Sequence, residues 1–161
     1  MLPDPTSFLD QIFDFCTSAG LPLADYQLDH ICYRVATTDR YQELKARLVP
    51  DNELLAETII SGRPIATFRL QQPLRYQGRT IKLLELPSPK AGSPYSEGYE
   101  HVEFAVGEHP GEWIKKYPSI IWETKDLRKS INPDVRLRIG EGVSVKFHEF
   151  PLDYVIEYLD E

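Results

Sequence analysis

Cysteine is scarce in this chain: Cys16 and Cys32 are the only two in 161 residues. Two thiols are too few for a disulfide framework, and they fit a reducing compartment in which neither is bridged. Positive charge is also short. Lys and Arg number 18 against 25 Asp and Glu, giving a formal charge of −7 and a pI near 5.1. That balance argues against nucleic acid or an anionic membrane surface as the main partner, because binding phosphate needs a basic face. A local basic pocket stays compatible with it. No apolar run approaches the ~18 residues of a membrane span, and Met1-Leu2-Pro3-Asp4-Pro5 is not a basic leader, so the expected location is the cytoplasm. A Gly-x-Ser-x-Gly elbow, a phosphate-binding glycine loop and a Cys-x-x-Cys pair are all missing. A dinucleotide cofactor is therefore not expected, and the partner class that remains is a small-molecule substrate or ligand, met by a monomer or a homodimer.

What the chain does have is an internal repeat. Asp29-His30-Ile31-Cys32-Tyr33-Arg34-Val35 returns as Glu100-His101-Val102-Glu103-Phe104-Ala105-Val106. In each copy an acid and a histidine precede apolar residues at every second position, the pattern of a half-buried strand. That period sets His30, Cys32 and Arg34 on one face, and His101, Glu103 and Ala105 on the corresponding one. Further on, Lys82-Leu83-Leu84-Glu85-Leu86-Pro87 is matched by Lys146-Phe147-His148-Glu149-Phe150-Pro151, so Glu149 aligns with Glu85. The histidine-to-glutamate spacings, 55 and 48 residues, describe one duplicated module with a shorter second loop.

Taken in order, Thr6 or Ser7 caps a first helix with Phe8, Ile12, Phe13 and Phe15 on one face, ended by Gly20 and Pro22. The first module follows as strand 29–35, a helix capped by Thr37 or Thr38 and stopped by Pro50, and strands 54–60, 64–70 and 79–86. Residues 87–98 read as a linker. The second module repeats the pattern with strand 100–106, a short helix 111–117, and strands 119–124, 135–139 and 143–150. A terminal helix begins at Pro151. The expected fold class is α+β: two tandem βαβββ modules, 29–86 and 100–150, sharing one curved mixed sheet. With the C-terminal helix they form a single structural domain, 29–161, and residues 1–28 supply an added helix packed on it.

If the modules pair side by side, two histidines and two glutamates converge. Imidazole and carboxylate donors with open positions suit Zn, Fe, Mn, Co or Ni in a Lewis-acid or oxygen-handling centre. The candidate metal ligands are His30, Glu85, His101, Glu149 and His148. Glu149 and His148 are alternatives, because neighbouring strand residues face opposite ways. Repeat register selects Glu149. The polar face shared with Ser144 and Lys146 selects His148. Arg34, Arg63 and Lys146 are candidates for holding an anionic substrate. Glu103 is a candidate base or orienting partner, which makes Glu103, Arg34 and Lys146 the candidate catalytic set.

The doubled βαβββ pattern with these histidines and glutamates resembles the vicinal oxygen chelate superfamily of glyoxalase I, extradiol dioxygenases and fosfomycin-resistance proteins. Asp29-His30-Ile31, Ser61-Gly62-Arg63-Pro64-Ile65, Glu85-Leu86-Pro87, Glu97-Gly98-Tyr99-Glu100-His101, Asn132-Pro133 and Lys146-Phe147-His148 resemble, within it, the YecM-like family from about residue 6 onward. The superfamily pattern points to Glu149, the YecM-like motif to His148. The resemblance implies a divalent-metal-dependent enzyme, a lyase, isomerase or dioxygenase, acting on a small oxygenated and anionic substrate. The alternative is a non-catalytic metal- or ligand-binding protein on the same scaffold.

Overall fold

The structure, a computed structural model, describes residues 1–92 and 94–159, so position 93 of the expected linker lies outside the described residues. Four α-helices and seven strands are present among them. The α+β class and the added N-terminal helix are borne out. The chain divides into two compact units, His30–Glu100 and Met1–Asp29 with His101 onward.

In the unit His30–Glu100 the strands run β2-β3-β4-β1. β1 (Gln27–Arg34) lies parallel to β4 (Arg79–Pro87), with His30 opposite Leu83 and Cys32 opposite Glu85. β3 (Arg63–Tyr76) is antiparallel to β4 and to β2 (Asn52–Ile60). Ser61-Gly62 and Gln77-Gly78 make the two hairpin turns, and both residues of each pair have positive φ, the geometry that twists with its strands. β3 runs six residues beyond its expected end. A register shift between Arg69 and Leu74 lets it continue and pair with the start of β4. α2 (Thr38–Leu48) starts where its cap was expected: the Thr37 hydroxyl accepts from the Arg40 N–H. Its buried stripe is Tyr41, Leu44 and Leu48. β1 is buried on both faces from Leu28 to Tyr33 rather than half-buried. A strand with a parallel neighbour takes that character when both faces are covered.

The other unit holds a three-strand ladder, β5-β7-β6. β5 (Gly98–Ala105) is parallel to β7 (Val143–His148), and β6 (Asp134–Gly140) is antiparallel to β7. The strand expected at 119–124 does not form. Ile121 is 90 % exposed, and the segment's backbone bridges the ladder at Glu123 and Arg136, while Trp122 packs on Phe147. α3 (Pro110–Trp113) is a single turn, continued by a 3₁₀ turn over Ile114–Lys116. Aromatic packing takes the place of a long helix. Trp113 is fully buried, stacks on Phe147 at 4.5 Å between ring centroids, and meets Trp122, Tyr26 and Tyr117 edge-on or tilted.

α1 (Thr6–Ser18) turns Leu9, Ile12 and Cys16 inward, while Phe15 is 39 % exposed. Its first turn is held by Asp4, which accepts from the Thr6 N–H and hydroxyl, so neither Thr6 nor Ser7 is the cap. Burial pushes the Cys16 thiol up to about 12, which keeps it an inert core group. α4 (Leu152–Tyr158) is entered through Pro151, and its Leu152 N–H donates to Asp29 at 2.9 Å. No helix of the described residues is long and apolar enough to cross a membrane.

Candidate functional site

Within His30–Glu100, β1 delivers His30 and its neighbour β4 delivers Glu85. The imidazole Nε2 stands 3.6 Å from the Glu85 carboxylate, with the histidine 2 % exposed. The same face of β1 carries Cys32, whose Sγ lies 3.8 Å from Glu100, and Arg34, paired with Glu100 at 3.0 Å. The Arg34 guanidinium also sits 3.3 Å from the centre of the Tyr95 ring. Arg63 reaches that tyrosine from β3, donating to the Tyr95 hydroxyl and to the Ser88 carbonyl, both at 3.1 Å. The Lys90 N–H donates to the same hydroxyl at 3.1 Å. The two arginines expected to hold an anion are thus gathered around one tyrosine. Tyr95 and Glu100 were not singled out from the sequence, although Glu100 stands in the repeat itself.

The other unit gathers a second, more buried group. On β5, His101 and Glu103 share a face as alternation requires, with His101 Nε2 at 3.1 Å from Glu103 Oε1. From β7, Lys146 Nζ is also 3.1 Å from Glu103 Oε1, and His148 Nε2 is 3.5 Å from Glu103 Oε2. His148 Nε2 is 3.4 Å from Asp29 Oδ2 as well. Asp29, His101, Glu103 and His148 are all buried. Asn132 stands behind His148, with Nδ2 at 3.1 Å from its Nδ1. Asp29 and Asn132 were missed as site residues, although the acid before each repeated histidine and the Asn132-Pro133 pair were both visible signals. The fourth histidine, His109, only caps α3, its Nδ1 accepting from the Gly111 N–H.

Strand register corrects one expectation. His30 opposite Leu83 places Glu85 opposite Cys32, and His101 opposite Ser144 places Lys146 opposite Glu103. The structural counterpart of Glu85 is therefore Lys146, three residues before Glu149. Glu149 lies in a bend beyond β7, half-buried, its carbonyl accepting from the Gly107 N–H.

These donors fit a divalent ion by their chemistry. Each unit offers a buried histidine beside a carboxylate, His30 with Glu85 and His101 with Glu103, the mixed nitrogen and oxygen set that borderline metals take.

A family model described as YecM protein matches residues 1–158. Protein YecM of Escherichia coli (strain K12) is 30 % identical over 170 residues, covering 95 % of this chain and 89 % of that protein. A protein of Haemophilus influenzae, described as uncharacterized, is 29 % identical over 100 residues. That match covers 60 % of this chain and about half, 52 %, of the relative's own length. Among solved structures, Protein EC4020 has a TM-score of 0.80 at 24 % identity, covering 96 % of this chain and 88 % of that one. Methylmalonyl-CoA epimerase of Streptomyces coelicolor, in complex with 2-nitronate-propionyl-CoA, has a TM-score of 0.55 at 15 % identity, covering 76 % and 96 %. At such identities the likeness is one of fold. With a family model spanning nearly all of its length, the chain belongs to the YecM family.

Proposed function

We propose that this chain is a divalent-metal-dependent enzyme of the vicinal oxygen chelate type acting on a small, oxygenated, anionic substrate. The observation that carries the reading is the duplicated pairing of a buried histidine with a carboxylate, His30 with Glu85 and His101 with Glu103. In each unit that pair is proposed as metal donors. Lys146 beside Glu103 adds a positive charge to the second pair, which suits an anionic substrate. When bound, the ion supplies Lewis acidity to neighbouring substrate oxygens. Arg34 and Arg63 hold the substrate's negative group, since guanidinium binds carboxylate or phosphate bidentately. For that role they exchange Glu100 and the Tyr95 hydroxyl for the ligand. Cys32 is a wall of this region, and Glu149 and His148 are left out of the donor set.

The test starts with elemental analysis and titration of purified protein with Zn²⁺, Mn²⁺, Co²⁺ and Ni²⁺. About one ion per chain is expected, and His101→Ala should abolish stoichiometric binding, because losing one protein donor leaves too few to displace water. The packing face of β5, Val102 and Phe104, is untouched by that change. A metal-dependent screen of small oxo-acids, hydroxy-acids and catechols then reads activity. Unchanged metal content in His101→Ala overturns the ligand set. Metal binding without turnover of any compound in the screen favours the alternative of a metal-sequestering protein.

A further inference from the structure

His148 is the third buried histidine of the chain, and its surroundings decide which of its nitrogens carries a proton. The decision begins at Asn132. Its side-chain oxygen accepts from the Phe150 N–H at 3.0 Å, and its side-chain nitrogen donates to the Phe150 carbonyl at 2.9 Å. A backbone N–H can only donate and a backbone carbonyl can only accept, so this two-point pairing admits one orientation of the amide. The orientation presents the Asn132 NH₂ to His148 Nδ1 at 3.1 Å, and an amide NH₂ does not accept. Nδ1 is therefore the acceptor and carries no proton.

The other side of the ring agrees independently. Nε2 faces the Asp29 and Glu103 carboxylates at 3.4 and 3.5 Å. A bare lone pair there would meet two sets of negative oxygens, whereas an N–H is attracted to both. The backbone of Asn132 supports the same design. Its φ of +44° is left-handed, a conformation asparagine adopts more readily than most side chains, and it stands directly before Pro133.

We infer that His148 is not a metal donor but a positioning residue, locked by Asn132 as the tautomer with its proton on Nε2, which holds the carboxylates of Asp29 and Glu103 in place. To ligate through Nε2 it would have to move its proton to Nδ1, against the NH₂ of Asn132, or turn that amide and lose both bonds to Phe150. The consequence reaches in two directions. Asp29 Oδ2 also accepts the Leu152 N–H, so one contact of His148 leads to the start of α4. Glu103 is held by His148 at Oε2 while Oε1 meets His101 and Lys146, so the other contact orients the carboxylate that the proposed function uses. The positioning role thus rests on the metal reading. The tautomer does not.

The experiment is nitrogen-15 NMR of the histidine side chains in metal-free wild-type protein near neutral pH, with His148 assigned through its backbone. A one-bond proton coupling at Nε2 and none at Nδ1 is expected. A proton on Nδ1, alone or together with Nε2, overturns the tautomer. Zn²⁺ is then added. His148 should keep its pattern while His101 loses its own, and a metal-induced loss of the Nε2 proton of His148 overturns the positioning role. His148→Gln retains an N–H donor near Nε2 and should bind Zn²⁺ as wild type does. His148→Ala, which removes the contact at Glu103 Oε2, should weaken binding about 10- to 100-fold, the usual cost of losing a group that orients a ligand. Equal losses in the two variants make His148 a donor after all. Protein that binds no Zn²⁺ refutes the metal reading and leaves the tautomer to be decided by the metal-free spectrum.

Discussion

The two repeats begin alike and end with opposite charges. Both place a histidine early in a strand, and both pair that strand in parallel with a later one. In His30–Glu100 the histidine's carboxylate comes from that later strand, as Glu85. In the other unit it comes from the histidine's own strand, as Glu103, and the position matching Glu85 holds Lys146. Duplication therefore preserved the backbone positions and redistributed the charges. A second divergence lies in the helix that follows the first strand. α2 supplies 11 residues with a buried stripe, whereas α3 supplies one turn and leaves the work to Trp113 and its aromatic neighbours.

The largest effect that tests this comparison is Trp113→Ala. It should cost about 3–5 kcal/mol of stability, since the ring is fully buried and one turn of helix has little else to fill the space. In the other unit, Tyr41→Phe removes only the hydroxyl bonded to Glu57 and should cost about 1 kcal/mol. Urea denaturation of both variants reads the difference. Comparable losses would mean that the aromatic cluster is not the counterpart of α2.

The next effect concerns the exchanged charge. Lys146→Glu restores the residue type of the first repeat and places a second carboxylate beside Glu103. Metal-free protein should lose about 3 kcal/mol, because a nearly buried pair becomes a repulsion. The same variant should bind divalent metal more tightly than wild type and recover stability with it. Glu85→Gln should act the other way. Affinity should fall by at least the ~10- to 100-fold that losing a group behind a ligand typically costs, with metal-free stability little changed. Metal titrations in which Lys146→Glu binds more weakly than wild type would separate Lys146 from the site.

These particulars show what was legible beforehand. The repeated acid-histidine strands, the cap at Thr37 or Thr38 and the family likeness all rest on local residue chemistry; the strands form, Thr37 is the cap, and the family model matches. The errors were about pairing. Lys-x-x-Glu-x-Pro recurs in the sequence, but hydrogen-bond register puts Lys146 where Glu85 stands, and a shift by three residues, an odd number, also exchanges the faces. Ser119 to Thr124 has the composition of a strand. Its failure to form one depends on β6, whose backbone bridges it at Arg136 and whose Arg138 side chain reaches Glu123. The role of Asn132 depends on Phe150, 18 residues away. Periodicity is blind to contacts of that kind.

The smallest effect concerns how α2 is fastened. Glu97 accepts from Arg40 on that helix and from the Tyr33 hydroxyl on β1. The Arg40 hydrogen bond, then that of Tyr33, holds the Glu97 carboxyl below the usual carboxylate range, while burial and the same carboxylate push the Tyr33 hydroxyl up to about 12. A carboxyl lowered in the folded state stabilises fully above its unfolded value, about 4.3 for glutamate, and loses that contribution as pH falls through the lowered folded value. Glu97→Gln should therefore be less stable than wild type at pH 7 by about 0.2–1 kcal/mol, because the pair is partly exposed and screened by water. The gap should close as acid protonates Glu97 in the wild type. Urea midpoints for the two proteins, compared from neutral pH down to roughly pH 3, read that convergence. A gap that stays constant with pH would assign the loss to packing around Arg40 rather than to the charge of Glu97.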